Sequence, residues 1–268
     1  MPSARTAPPA VTVVTPTKGR PHLLTRALAS VARQEGVAVQ HVVVGDDCPH
    51  LADPEALRTL RARFPHAEFL NVTPDAFPDL PSDYLPARLS RLRNLGIVRA
   101  HGDYVAHLDD DNAYHPDHLR TLVAALEADE ESEVAYSWRH LRQSDGSDFV
   151  PDGEDPWHPV PGRRAASYAT LVEQGVFVPG SAVVRDAMRV VDGRTLSRVD
   201  TNELLVRRDT HRRIPFPTDF SVWQRILETT EDMAFCQALQ QHGTVSVCSE
   251  RATVDYYMGG YSNAAALT

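Results

Sequence analysis

Blocks of apolar and polar residues alternate along the first half of this chain. Residues 11–15, "VTVVT", form a β-branched apolar run and predict a buried strand. "PTKGRP" interrupts it. Apolar positions then recur at helical spacing, at Leu23, Leu24, Ala27, Leu28 and Val31, with Pro21 in the first turn, where a helix tolerates proline. The pattern repeats. Residues 39–47 predict a strand that ends in two acids, "PEALRTLRARF" a helix and "AEFLNV" a third strand. "PARLSRLRNLGIVRAHG" predicts a helix with Leu89, Leu92, Gly96 and Ala100 on one side. "DYVAHLD" reads as a fourth strand, "PDHLRTLVAALEAD" as a helix and "EVAYSWRHL" as a strand after it.

These strands are apolar throughout, which predicts an α/β fold with a mostly parallel sheet covered on both faces. After about residue 142 the pattern changes. "RQSDGSDFVPDGEDPWHPVPGRR" is polar and rich in proline and glycine, and reads either as a mobile loop or as an excursion over the active face. Two strand-like pieces, "GVFVPGSAVVRD" and "RVDTNELLVRRD", follow and are expected to pair as edge strands of a small mixed region. "ETTEDMAFCQALQQHG" predicts a helix ended by Gly243, and "TVSVCSE" a last strand. No internal repeat or linker divides the chain. The expectation is one domain over residues 11–258, with halves at 11–135 and 136–258, a floppy lead-in at 1–10 and a tail at 259–268.

Composition narrows the class only a little. The chain has 268 residues and a formal net charge of -9, which argues against nucleic acid as the main partner. Lys18 is the only lysine. Three widely spaced cysteines, Cys48, Cys236 and Cys248, make neither a zinc pattern nor a disulfide framework, so a reducing cytoplasm is the expected setting. No run is long and apolar enough to predict a membrane span, and the first ten residues do not read as a secretory signal.

The chemistry lies where strands end. Asp46 and Asp47 follow the second strand; Asp109, Asp110 and Asp111 follow the fourth. Ligands of such sheets collect at the carboxyl ends of the strands. Three adjacent carboxylates repel one another and persist when solvated or neutralised by a cation. Acids in an Asp-x-Asp arrangement suit a hard divalent ion that shares its shell with substrate phosphates. Asp111 is placed as the ligand and Asp109 as a second or water-mediated one. The alternative is a polar turn before a helix, with Asn112 or Asp111 as a cap.

"RLRNLGIVRAHGDYVAHLDDDNAYHPDHL" resembles the core signature of the family 2 glycosyltransferases with a GT-A fold. In that signature an Arg-Asn-x-Gly helix precedes a Gly-Asp-Tyr strand ending in metal-binding acids. "VTVVTPTKGRPHLLTRALASVARQ" and "VVVGDDC" resemble the family's opening. The resemblance implies a Rossmann-like GT-A domain and a hexosyltransferase using a nucleotide-diphospho-sugar, with a UDP-sugar favoured and GDP- or dTDP-sugars allowed. It also implies a Mn2+ or Mg2+ cofactor and a hydroxyl acceptor such as a saccharide or small molecule; a homodimer is compatible with it.

By the same resemblance, Thr15 and Pro16 line the nucleotide pocket and Asp46 accepts from the base. Arg93 approaches the nucleotide or its diphosphate, Asp110 binds ribose and Asp111 binds metal. Glu231 and Asp232 match the family's later acid pair, with Asp232 as general base. Asp200, Thr201 and Asn202 match the strand start that touches donor sugar or acceptor, with Gly180 and Ser181 as rivals for that place. Trp223 is a candidate to stack on a sugar.

Each assignment has a plainer alternative. Asp46 and Asp47 could make an ordinary turn, Arg93 could be a solvated helical arginine, and Trp223 could be core. Residues 229–232 could form a capping arrangement. The stretch 145–155, with Trp157 and His158, could close over substrate or be a solvated loop.

Two departures from the family pattern are visible. No histidine follows Gly243 to serve as a third metal ligand, and "WQR" at 223–225 is not the Gln-x-x-Arg-Trp of processive members. A non-processive, inverting transferase is expected. Competing classes are a sugar-phosphate nucleotidyltransferase, for which "PTKGRP" is a poor phosphate cradle, and a non-catalytic nucleotide-sugar-binding protein. A dehydrogenase is disfavoured, since no GxGxxG follows the first strand.

Overall fold

The structure is a computed structural model that describes residues 10–73, 76, 84–191 and 194–260. The lead-in and the tail therefore lie almost wholly outside the described residues. In chain order the strands and helices are β1 (Ala10–Thr17), α1 (Pro21–Ala32), β2 (Ala38–Asp46), α2 (Pro49–Ala52), α3 (Pro54–Arg63), β3 (Ala67–Val72), α4 (Leu85–Val98), β4 (Tyr104–His107), β5 (Ala113–Tyr114), α5 (His118–Ala128) and β6 (Val134–Arg142). They continue as α6 (Arg164–Glu173), β7 (Val183–Val184), β8 (Ala187–Val191), β9 (Arg194–Arg198), β10 (Leu204–Arg207), α7 (Arg208–Arg213), α8 (Val222–Ile226), α9 (Glu231–Gln241) and β11 (Ser246–Tyr257).

The main sheet runs β3-β2-β1-β4-β10-β6-β11-β5, with β7 on β6. Strands β1 to β4 are parallel, as their continuous apolar runs predict, and β11 is parallel to β6. One face packs Val11, Val13, Ala106 and Leu205 against Ala27 and Val31 of α1 and Leu119, Leu122 and Leu126 of α5. The other packs Val14, Val105 and Val206 against Ile97 of α4 and Phe235 and Leu239 of α9. Burying both faces removes the polar-out alternation that a half-exposed sheet would show.

The second half departs from expectation. "GVFVPGSAVVRD" yields only the two-residue β7, and "RVDTNELLVRRD" is no edge strand. Its β10 lies in the middle of the sheet, antiparallel to both β4 and β6. The reversal decides the site. Because β10 runs against its neighbours, its entry turn, residues 200–203, lies at the end of β4 and beside the middle of β6. The start of α9 and the exit of β11 reach the same edge.

The helix α4 shows why its motif has the residues it has. A Cβ on Gly96 would collide with the Val14 side chain, so the glycine lets the helix lie close on β1. Asn94 donates to Phe216 O at 2.9 Å and accepts from Phe216 N at 2.9 Å, pinning the chain that crosses α4. Arg93, one residue earlier, points inward.

Candidate active site

The sheet order reverses between β1 and β4, the place where an open α/β sheet leaves a crevice. Thr17, at the end of β1, spans it and donates to Asp110 Oδ2 at 2.6 Å. In the β1–α1 loop, Gly19 takes φ +65°, and the next residue, Arg20, forks across two carboxylates. Its Nη1 lies 2.8 Å from Asp111 Oδ2 and its Nη2 donates to Asp110 Oδ1. Arg26 holds the Asp111 carbonyl and stacks on Tyr257, 3.5 Å from the ring centre. The crowded acids are thus neutralised in part by the chain's own arginines.

Asp109 is held from the other side. Arg93 Nη2 donates to its Oδ1 at 2.6 Å, and Asn202 Nδ2 donates to its Oδ2 at 2.9 Å, while Asp109 N donates to Asn202 Oδ1 at 2.6 Å. Arg93 has no exposure. The same Nη2 reaches Thr201 Oγ1 at 3.0 Å and Glu231 Oε1 at 3.2 Å. Arg93 is therefore not a solvated helical arginine. It is an internal clamp on three segments. Burial alone would lower its pKa; Asp109 and Glu231 outweigh that and raise it, so the cation is permanent.

The remaining predicted residues separate into two groups. Thr15 is fully buried and its hydroxyl meets His41 Nε2 at 2.8 Å, and Pro16 is buried as well. Strand alternation turns the Thr15 side chain into the α1 face. Thr17, one full period later, occupies the edge that Thr15 was expected to reach.

Asp46 is no ordinary turn residue. It pairs with Arg88 Nε at 2.6 Å and Lys18 Nζ at 3.2 Å, whereas Asp47 is the exposed turn residue with φ +47°. Burial would raise the Asp46 pKa, but the hydrogen bonds from Arg88 and Lys18 hold it below the usual carboxylate range. Sequence reasoning missed Thr17, Arg20, Arg26 and Arg88. For Arg20 and Arg88 the advance signal was the concentration of basic residues in "PTKGRP" and "PARLSRLR"; Thr17 and Arg26 carried none.

Asp200, Glu231 and Asp232 gather at the same edge. Asp200 caps the turn 201–203 and bonds Asn202, which joins it to Asp109. Burial raises the Asp200 pKa to about 6; Arg139 opposes this, and Asp232 and Asp109 add to it. Burial likewise pushes Glu231 to about 7 against the pull of Arg93, with Asp232 and Asp109 reinforcing the rise. Asp232 is raised by burial, although Thr230 and the Met233 amide pull it down. The capping reading of residues 229–232 is realised in part: Thr230 occupies the N-cap position and Glu231 and Asp232 the first turn, but Thr230 makes no side-chain cap bond and its hydroxyl donates to Asp232. Neither does Asp111 or Asn112 cap α5; Asn112 Oδ1 accepts from Tyr257 N at 2.9 Å.

Three predicted residues or segments lie elsewhere. Trp223 is 72% exposed on the short α8, beside exposed Val222, Ile226 and Leu227, so it is not core. Gly180 and Ser181 sit in a turn before β7, outside the bonded cluster, while Thr201 and Asn202 are inside it. The stretch 145–155 is anchored at Asp155, which accepts from Ser167 Oγ at 2.7 Å and Trp157 N at 3.1 Å. Behind it Arg139 pairs with Glu203 at 2.7 Å and with Asp186, and Arg198 joins Asp186 at 3.1 Å.

The donor set fits a hard divalent ion. Asp109 is partly open, and Asp111 Oδ1 receives no hydrogen bond from the described residues. A Cβ at Gly260 would stand 3.1 Å from Asp111 Oδ2, so the glycine leaves room there. Burial and the Asp109 charge lift the Asp111 pKa to about 6 despite Arg20. Among the described residues no group of three or more His, Cys, Asp or Glu converges as a complete metal cage. Two carboxylates with water and ligand oxygens are the arrangement this edge supports.

Comparison with known proteins agrees with the fold. Residues 85–190 match the family model described as glycosyl transferase family 2. The succinoglycan biosynthesis protein ExoO of Rhizobium meliloti (strain 1021) is 31% identical over 120 residues, covering 45% of this chain and 30% of ExoO. The chain thus spans under a third of that curated relative. Among solved structures, S. aureus TarS 1–349 superposes with a TM-score of 0.57 at 16% identity, over 93% of this chain and 61% of that one. The mannosyltransferase PcManGT of Pyrobaculum calidifontis, solved with GDP-Man and Mn2+, gives 0.56 at 16% identity, over 97% and 60%. Among the described residues no helix is long and apolar enough to cross a membrane. The fold and the match of residues 85–190 to the glycosyl transferase family 2 model agree, so this chain resembles the family 2 glycosyltransferases of GT-A fold.

Proposed function

We propose that residues 11–258 form one catalytic domain that moves a hexosyl group from a nucleotide-diphospho-sugar to a hydroxyl acceptor. Transfer is non-processive, metal-dependent and inverting, and takes place in the cytoplasm, where the three free cysteines stay reduced. The observation that carries this reading is the Arg93 bridge. It fixes Asp109 on the donor side and Glu231, the neighbour of Asp232, at one edge of the sheet.

A sugar hydroxyl is a poor nucleophile, and Asp232 is the carboxylate placed to take its proton as the oxygen attacks the anomeric carbon. A single displacement inverts that carbon. Asp109 and Asp111 would hold a Mn2+ or Mg2+ ion, whose chemistry is to neutralise the departing diphosphate. Asp46 and Asp110 are assigned to base and ribose, and Asp200, Thr201, Asn202 and Trp223 to the sugar and acceptor side. TarS has been solved with UDP and with UDP-GlcNAc, and PcManGT with GDP-Man, which supports a UDP-sugar donor with GDP- or dTDP-sugars as the next choices.

The test is calorimetry with UDP, GDP and dTDP, with and without Mn2+, followed by turnover of the matching nucleotide sugar. Metal-dependent binding of one nucleotide, and loss of turnover in Asp232→Asn with donor binding kept, are expected. Absence of binding by all three, or full turnover in Asp232→Asn, would overturn the reading. Release of pyrophosphate from a nucleoside triphosphate and a sugar phosphate would do so in favour of a nucleotidyltransferase.

A further inference from the structure

Arg20 occupies a telling position. It stands at the mouth of the β1–α1 loop, directly after Gly19, with its side chain 40% exposed. Its guanidinium fork spans Asp110 and Asp111, one carboxylate assigned to ribose and one to metal. The other arginines of this edge are committed differently. Arg93 is fully buried on Asp109, and Arg26 holds a backbone carbonyl of Asp111 and an aromatic face. Arg20 is thus the cation on the Asp111 carboxylate that also has access to solvent.

We infer that Arg20 is a resident counter-cation of the donor site, which competes with a divalent ion for Asp111 and passes to the diphosphate of an incoming donor. An ion on Asp111 Oδ1 and the guanidinium on Oδ2 of the same carboxylate repel each other across its short width, so an ion arriving at Asp111 displaces the guanidinium. A guanidinium fork suits phosphate oxygens as well as it suits carboxylates, and the loop that carries it faces the crevice between β1 and β4. The exchange keeps the acids neutralised in both states. The inference rests on the transferase reading for the diphosphate step, whereas the competition with metal stands on the geometry alone.

The test uses the full chain and the variants Arg20→Gln and Arg20→Lys. Mn2+ alone is titrated and followed by loss of its free paramagnetic resonance signal. UDP and GDP are then titrated by calorimetry at saturating Mn2+. In Arg20→Gln, Mn2+ alone is expected to bind about fivefold tighter, because a competing ion pair has gone. The nucleotide is expected to bind about tenfold weaker, because a charge-assisted bond to phosphate has gone. Arg20→Lys, which keeps the charge without the fork, should fall between and guards against a folding defect in the first variant.

Unchanged or weaker Mn2+ binding in Arg20→Gln overturns the competition. Tighter Mn2+ with undiminished nucleotide affinity overturns the transfer to diphosphate. If neither nucleotide binds the unaltered chain, the transferase reading fails, and the Mn2+ titration still decides the competition.

Discussion

Arg93 Nη2 lies 3.2 Å from Glu231 Oε1, although 138 residues separate them in the chain. The bond crosses from α4 in the first half to the first turn of α9 near the end. It makes the geometry of the acids that open α9 depend on a residue of α4. Removing one partner of such a buried pair strands the other charge, which costs about 3–5 kcal/mol. Arg93→Met is therefore expected to lower the unfolding free energy by about that amount, measured in urea. The double variant Arg93→Met with Glu231→Gln should recover part of the loss. Equal stability of Arg93→Met and the unaltered protein would show that the bridge is not formed.

The two acids of α9 should separate by role. Asp232→Asn should lower the transfer rate by about 100-fold or more, the usual range for a lost general base, with nucleotide affinity unchanged. Glu231→Gln should act mainly through stability, since its carboxylate is held by Arg93. Burial raises the Asp232 pKa above the ordinary carboxylate range. A base works only when deprotonated, so the rate should fall on the acid side of a midpoint lying above that range. A rate profile flat down to the ordinary aspartate pKa would refute the assignment.

His118 offers a separate check on the fold. It is buried, its Nδ1 meets Thr253 Oγ1 at 2.8 Å, and its ring stacks on Tyr114. Burial lowers its pKa to about 3, with a smaller contribution from His115. The unfolded chain binds this proton near the ordinary value of 6.5, so the stability contributed by neutral His118 is present above that pH and is lost as pH falls toward 3. Between those values the slope of stability against pH should be steeper than in His118→Gln by up to about 1.4 kcal/mol per pH unit. Parallel pH–stability curves for the two proteins would contradict the burial.

Asp155 tests whether the segment after β6 is tied down. Its carboxylate accepts from Ser167 and from the Trp157 amide and faces Arg198 at 3.6 Å. Asp155→Ala should lower stability by about 1–3 kcal/mol and release the segment. Trypsin should then cut sooner at Arg163 or Arg164 than in the unaltered protein. An unchanged digestion pattern would show that other contacts hold it.

Trp223 should be nearly silent in stability. It is exposed, so Trp223→Ala is expected to change the unfolding free energy by less than about 0.5 kcal/mol. If it stacks on a sugar as proposed, the acceptor KM should rise while kcat holds. A large loss of stability would mean that the ring packs against something.

The first half of this fold was readable because each of its signals is local. β3 spans the "AEFLNV" run without adjustment, and α1 begins on the proline that starts its helical period. The acids at 46 and 109–111 were visible as charges placed where apolar strands stop, and so was their association with the carboxyl edge of the sheet. Less could be read where the answer depended on a partner distant in the chain. "DTNELLVR" looks the same whether it pairs at an edge or in the middle; only pairing with β4 and β6 puts it in the centre and brings Asn202 against Asp109.

Side-chain direction was hidden for the same reason. Thr15 and Thr17 share one face of β1, and the place where cover from α1 ends decides which hydroxyl reaches the crevice. Arg93 looked like any helical arginine until Asp109, Thr201 and Glu231 closed around it. Periodicity along a chain records which face of an element is apolar. It carries no record of which charged groups from other elements will meet there, because that depends on strand order and direction, which only long-range packing settles.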